Sequence, residues 1–144
     1  MPKMIFLNLP VKDLAAATRF YEAIGCTKNG QFSDGNASSM VWSDSITFQL
    51  LTHEFYATFT SRPIADAHRD SAMLIALARD SRDEVDAMVE AAAAAGGTPD
   101  IRERQDMGFM YLRTFEDPDG HVFEPMWMDV QAFTAAAEQK AGAT

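Results

Sequence analysis

The chain has 144 residues, 47% of them apolar and 23% charged, with a formal net charge of −9. That length suits one domain or two small half-domains sharing a core, and 10 Phe, 9 Met and 2 Trp supply the bulk for it. The acidic balance argues against nucleic acid as a partner, no apolar run is long enough to span a bilayer, and the single cysteine, Cys26, cannot close an internal disulfide.

The start of the chain, Met1-Pro2-Lys3-Met4, lacks the apolar stretch and small-residue cleavage site of a secretion signal. A reducing cytoplasm is the expected address, with Cys26 a buried structural thiol rather than a nucleophile. Residues 4–9 are short and apolar, as a strand should be. Asp13 follows as a helix cap, and Leu14, Ala17, Phe20, Tyr21 and Ile24 recur at helical spacing up to a stop at Gly25. Three strands are predicted next, over 27–32, 38–42 and 46–51, separated by Asp34-Gly35-Asn36 and Ser43-Asp44-Ser45. Residues 53–71, with Pro63 and mixed polarity, read as a connector holding a short helix near 64–68.

The pattern then restarts. A strand is predicted over 72–78. Ser81 and Glu84 fit a capping box before a helix whose apolar face is Val85, Met88, Val89, Ala92 and Ala95, ended by Gly96-Gly97. Strands follow over 98–103, 109–115 and 122–128, the last two divided by the turn Glu116-Asp117-Pro118-Asp119-Gly120. The organisation is thus a first βαβββ module (1–52), a connector (53–71), a second βαβββ module (72–130) and an Ala-rich tail (131–144). Phe6-Leu7-Asn8-Leu9 lies over Leu74-Ile75-Ala76-Leu77 in this repeat. The fold class is α+β, with the modules forming a cupped mixed sheet and the helices covering its outer face.

Two stretches carry a family likeness. Asn8-Leu9-Pro10-Val11-Lys12-Asp13-Leu14, followed by Arg19-Phe20-Tyr21, resembles the opening strand and helix of vicinal oxygen chelate proteins, the glyoxalase, bleomycin-resistance and dioxygenase superfamily. Residues 116–124, ending in His121-Val122-Phe123-Glu124, resemble that family's closing hairpin. The likeness spans roughly residues 4–128 and is nearest to the branch described as predicted lactoylglutathione lyases. It implies a ligand cup on a concave face and a homodimer. Metal-dependent members place His or Glu at concave positions that here correspond to Phe6, Gln49, Leu74 and Glu124. Of these only Glu124 is an ionisable ligand, so the usual metal site is not assembled and no cofactor is firmly predicted. A rebuilt divalent-metal site could draw only on the weak candidates Glu124, Gln49 and His53.

Alternation places Phe6 with Asn8, and Glu124 with Met126, on the inward face. Asn8, Gln49 and Glu124 are therefore the polar groups of the candidate ligand site, with Phe6, Leu74 and Met126 as apolar neighbours. His121, an odd step from Glu124, is expected to face away from it. Trp127, Met126 and Met128 with Phe109, Met110 and Tyr111 read as core or dimer contact, and residues 102–106 as a solvated charged run. Three functions stay open at this point. One is a protein that binds a small apolar or amphipathic molecule, with cations favoured by the acidic chain. Another is a glyoxalase-like lyase or isomerase using Glu124 as base or metal ligand. A scaffold whose main role is dimer contact is a third.

Overall fold

Capping and periodicity decide where the helices fall. In the computed structural model, which describes residues 2–142, β1 (Ile5–Val11) leads to α1 (Leu14–Ala23), capped by the Asp13 carboxylate accepting from the Ala16 N–H at 3.0 Å. Ala17, Phe20, Tyr21 and Ile24 are buried along its inner face, and Gly25 ends it with φ +119°. Three strands follow: β2 (Thr27–Lys28), β3 (Ala37–Val41) and β4 (Ile46–Thr52). The strand predicted over 27–32 stops at Lys28, because the Asn29 side chain accepts from Gln31 N–H and starts a 3₁₀ turn over Gly30–Phe32.

In the connector, α2 (His53–Tyr56) forms where Thr52 Oγ1 can accept from Phe55 N–H. The helix predicted over 64–68 is absent. There the Asp66 carboxylate accepts from His68 N–H and shapes a turn instead.

The second module comprises β5 (Leu74–Ala78), α3 (Arg82–Ala94), β6 (Thr98–Pro99), β7 (Gln105–Asp106), β8 (Met110–Leu112), β9 (Phe115–Glu116) and β10 (Val122–Met128). Ser81 Oγ caps α3 by accepting from Glu84 N–H. The Glu84 carboxylate reaches back to Asp80 N–H, one residue beyond the expected cap. The strand predicted over 109–115 is divided into β8 and β9. β10 pairs with β9 through Val122 and Phe123 and with β8 from Met126 onward, leaving Pro125, which has no N–H to donate, at the break. The tail is an exposed helix, α4 (Val130–Gly142), capped by Asp129. The last two tail residues lie outside the described ones.

This is the α+β fold of two βαβββ modules, and its hydrogen bonds form two curled sheets. One runs β1-β4-β3-β2, with β1 parallel to β4. The other runs β6-β9-β10-β8-β7, with β5 parallel to β10. The modules share a single core. Tyr21 of α1 and Phe48 of β4 meet Phe123 of β10 with ring centroids 5.9 and 5.5 Å apart, and Phe20 meets Phe115 at 6.1 Å. Such interlocked aromatics are directional as well as apolar contacts. The Arg79 guanidinium, 5.2 Å over the Trp42 ring, adds a cation–π bridge between modules. The aromatic cluster near the chain end forms part of a similar stack, Arg82 lying over both Tyr111 and Trp127. Arg104 and Asp106 of the charged run are not merely solvated, since they pair with Asp100 and Arg82.

Candidate functional site

Strand alternation sorts the predicted site residues as expected, but onto two different sheets. On β1, Leu9 and Val11 enter the core, so Phe6 and Asn8 point the other way and are exposed. Asn8 lies beside Gln49 of β4, which in turn lies beside Ser39 of β3. On β10, Phe123 is buried in the core, so Glu124 and Met126 take the opposite face, beside Ala76 and Ala78 of β5. Glu124 is half-buried and has no hydrogen-bond or ion-pair partner among the described residues. Asn8 and Gln49 are thus brought together, and Leu74, Glu124 and Met126 form a second group. No hydrogen bond joins the two groups.

A cavity of about 370 Å³ opens elsewhere, between β1, the start of β10 and the connector. Leu9, Ile75 and Val122 form its strand wall, while Tyr56, Ile64 and Met73 close it from the connector side. Asn8, Arg62, Asp70 and His121 supply polar groups. Of the residues proposed from sequence, Asn8 alone lines this space. Gln49, Glu124, Phe6, Leu74 and Met126 do not. The connector, read from sequence as a link, is half of the wall. Its Pro63-Ile64 pair, apolar within a polar stretch, was the available signal.

His121 and Glu124 do not line the same space. His121 precedes the first residue of β10, so strand alternation does not govern its direction. Its ring turns toward β1, with Nε2 2.9 Å from the Pro10 carbonyl oxygen. The turn before it is built around Asp117, which is almost wholly buried. One Asp117 oxygen accepts from the backbone N–H groups of Asp119 and His121, and the other accepts from the Tyr21 hydroxyl at 2.7 Å. Burial pushes the Asp117 carboxyl above its ordinary value, against the pull of His121 and the Tyr21 hydrogen bond. Burial, with the neighbouring carboxylate, raises the Tyr21 phenol well above its ordinary value. Asp119 completes the junction by accepting from Lys12 N–H, so the turn fastens the end of β1.

The connector docks on the outside of the same turn. Gly120 has φ +91°, and a Cβ there would stand 2.5 Å from the His68 backbone nitrogen. His68 in turn sets Nε2 3.1 Å from the Pro118 carbonyl and Nδ1 3.4 Å from the Glu116 carboxylate. His53 does not continue β4 to a cup rim. Helix α2 begins at that residue, which lines a smaller hollow of about 160 Å³ with Lys12, His68 and Asp119. Cys26 is buried, and burial pushes its thiol up to about 12, which suits an inert structural thiol.

The four positions that hold metal ligands in metal-dependent relatives carry two hydrocarbon side chains here, Phe6 and Leu74, both more than half exposed. Among the described residues no three His, Cys, Asp or Glu side chains converge to hold a metal ion. The donors at the other two positions are one carboxylate, Glu124, and one amide, Gln49, on separate sheets. Also among the described residues, no helix is long and apolar enough to cross a membrane.

Solved structures share this fold. A hypothetical protein from S. aureus matches with 24% identity and a TM-score of 0.73, covering 88% of this chain and 94% of its own. A glyoxalase-related enzyme from Fulvimarina pelagi matches with 21% identity and a TM-score of 0.73, covering 88% of each chain. The fosfomycin resistance protein FosX from Mesorhizobium loti matches with 16% identity and a TM-score of 0.64, covering 88% of this chain and 92% of its own. No curated relative matches the chain. The family model for the Glyoxalase/Bleomycin resistance protein/Dioxygenase superfamily matches residues 3–124, bringing together the opening strand, the shared core and the closing hairpin, and the chain belongs to that superfamily.

Proposed function

We propose that this chain binds a small amphipathic molecule in the cavity between β1, the start of β10 and the connector. The observation that carries the reading is the cavity itself. At about 370 Å³, with apolar walls and a few polar groups, it falls in the size range of small-molecule sites. Asn8 is the orienting amide. Net charge −9 favours a ligand with a cationic end, for which Asp70 at the rim is the nearest carboxylate. Stabilisation of the parent protein by a panel of amphipathic cations, lost in Ala72→Phe, is the expected result. Equal stabilisation of both proteins would remove the cavity from the reading.

A second reading, a glyoxalase-like lyase or isomerase, is favoured by one observation: the half-buried Glu124 carboxylate is left free for a substrate. It would act as a base on a proton next to a carbonyl. Turnover of the methylglyoxal–glutathione hemithioacetal by the parent but not by Glu124→Gln would place this reading first, and no turnover would remove it.

The proposed molecule is a cytoplasmic homodimer. Ile5, Phe6, Met73 and Leu74, each at least half exposed, mark the starts of β1 and β5, and each of these strands pairs on one side only. A second copy covering them would remove an apolar patch from water. Light scattering of parent and Phe6→Glu/Leu74→Glu tests this, with a dimer turned monomeric as the expected result.

A further inference from the structure

His121 lines both the cavity and the smaller hollow next to it, with one ring nitrogen already committed. Nε2 lies 2.9 Å from the Pro10 carbonyl oxygen, and a carbonyl oxygen only accepts. In the neutral ring the proton therefore sits on Nε2, and Nδ1 carries the lone pair. No hydrogen bond to Nδ1 is formed among the described residues. The residue is held at both ends, since its backbone N–H donates to the Asp117 carboxylate at 2.8 Å. The remaining charged groups around the cavity have other characters. Arg62 only donates, and Asp70 at the exposed rim has Arg69 3.6 Å away.

We propose that His121 is the specificity-determining residue of this cavity, presenting Nδ1 as a fixed acceptor that selects ligands bearing an O–H or N–H donor on an apolar body. The inference rests on the cavity reading above and adds the chemistry of recognition. An acceptor whose tautomer and orientation are set before binding loses little freedom when the ligand arrives. A ligand of the same shape without the donor leaves Nδ1 without a hydrogen-bond partner once the cavity is filled.

The test uses 2-naphthol, which has one O–H on a flat apolar body, and 2-methoxynaphthalene, which lacks the donor. Both are titrated into the ¹⁵N-labelled full chain and followed by imidazole nitrogen spectra. The expected free protein shows the Nε2–H tautomer at His121. With 2-naphthol the Nδ1 resonance shifts toward the hydrogen-bonded position. Affinity exceeds that for the methyl ether by roughly 3- to 10-fold. The preference disappears in His121→Leu, which offers the ligand no acceptor. An Nδ1–H tautomer in the free protein overturns the inference. So does equal binding of both probes with no Nδ1 shift, although that outcome leaves the cavity reading standing. If neither probe binds, the inference falls, and the cation panel decides the cavity reading.

Discussion

Gly120→Ala probes the join between turn and connector. Gly120 adopts φ +91°, where a residue with a Cβ is strained by about 1–2 kcal/mol. The new methyl carbon would also sit 2.5 Å from His68 N and 2.7 Å from the Ala67 carbonyl carbon. Ordinary contact needs about 3.5 Å, so the connector must withdraw by ~1 Å. Withdrawal breaks the two His68 contacts to Pro118 and Glu116, which are partly exposed and together contribute about 1 kcal/mol. The expected loss is about 2–3 kcal/mol. At about 4 °C per kcal/mol for a chain of this size, Tm falls by roughly 8–12 °C. Circular dichroism reads the midpoint, and hydrogen exchange at residues 66–68 reads the displacement. His68→Ala, which loses the contacts without the clash, should lose no more than about 1 kcal/mol. A Gly120→Ala midpoint within a degree or two of the parent would refute the packing argument. A full loss with unchanged exchange at 66–68 would locate the strain in the turn alone.

Arg113 is 6% exposed, and donates to Asp100 at 3.0 and 2.7 Å and to Asp86 at 2.9 Å. Arg113→Met leaves Asp86 without its ion-pair partner and Asp100 with only Arg104, 3.8 Å away. Because both carboxylates are about a third exposed, solvent screens part of the loss, and the expected cost is about 2–4 kcal/mol by urea titration. Hydrogen bonds from Arg113 hold Asp100 below the ordinary carboxylate range. Asp86 also lies below it, its upward push from desolvation being outweighed by bonds from Tyr111 and Arg113. Their contribution is present above about pH 4 and lost as pH falls through the lowered folded values, so parent and variant should converge in acid. A gap between them that stays constant down to pH 3 would contradict this. Tyr21→Phe removes the hydroxyl donated to buried Asp117 and should cost about 1.5–3 kcal/mol, measured by urea unfolding. A loss below 0.5 kcal/mol would mean the carboxylate does not depend on it, on the same scale. Cys26 should react with a thiol reagent only as fast as the protein opens, and prompt modification of the native state would contradict its burial.

The elements that sequence reasoning found are those whose cause is local. Asp13 and Ser81 cap their helices with their own side chains, and the buried faces of α1 and α3 follow the 3.6-residue period. The two-residue strands β2, β6 and β9 fall within or at the end of longer predicted strands and β7 in none, because each is delimited by its partner strand rather than by its own pattern. Alternation places Asn8, Gln49, Glu124 and Met126 on faces opposite the buried Leu9, Phe48 and Phe123. It could not say that the first pair would lie on one sheet and the second on another. The contact of the His121 ring with the Pro10 carbonyl was not legible, because it joins residues 111 positions apart. The cavity wall at Tyr56, Ile64 and Met73 has no periodicity at all, and depends on a docking contact at Gly120 made far along the chain.

The core aromatics bear on the autonomy of the two repeats. Phe20, Tyr21 and Phe48 come from the first, Phe115 and Phe123 from the second, and Phe20 meets Phe115 while Tyr21 and Phe48 meet Phe123 across the boundary. Neither repeat would have a finished interior if synthesised alone, since half of its aromatic neighbours would be water. A backbone nick in the surface loop at residues 57–63 leaves that interior uncut. The resulting fragments should be poorly ordered apart and reassemble noncovalently when mixed. The repeats are thus two copies in sequence but one cooperative unit in folding, and a split version of the chain would report on whether two tethered partners have come together.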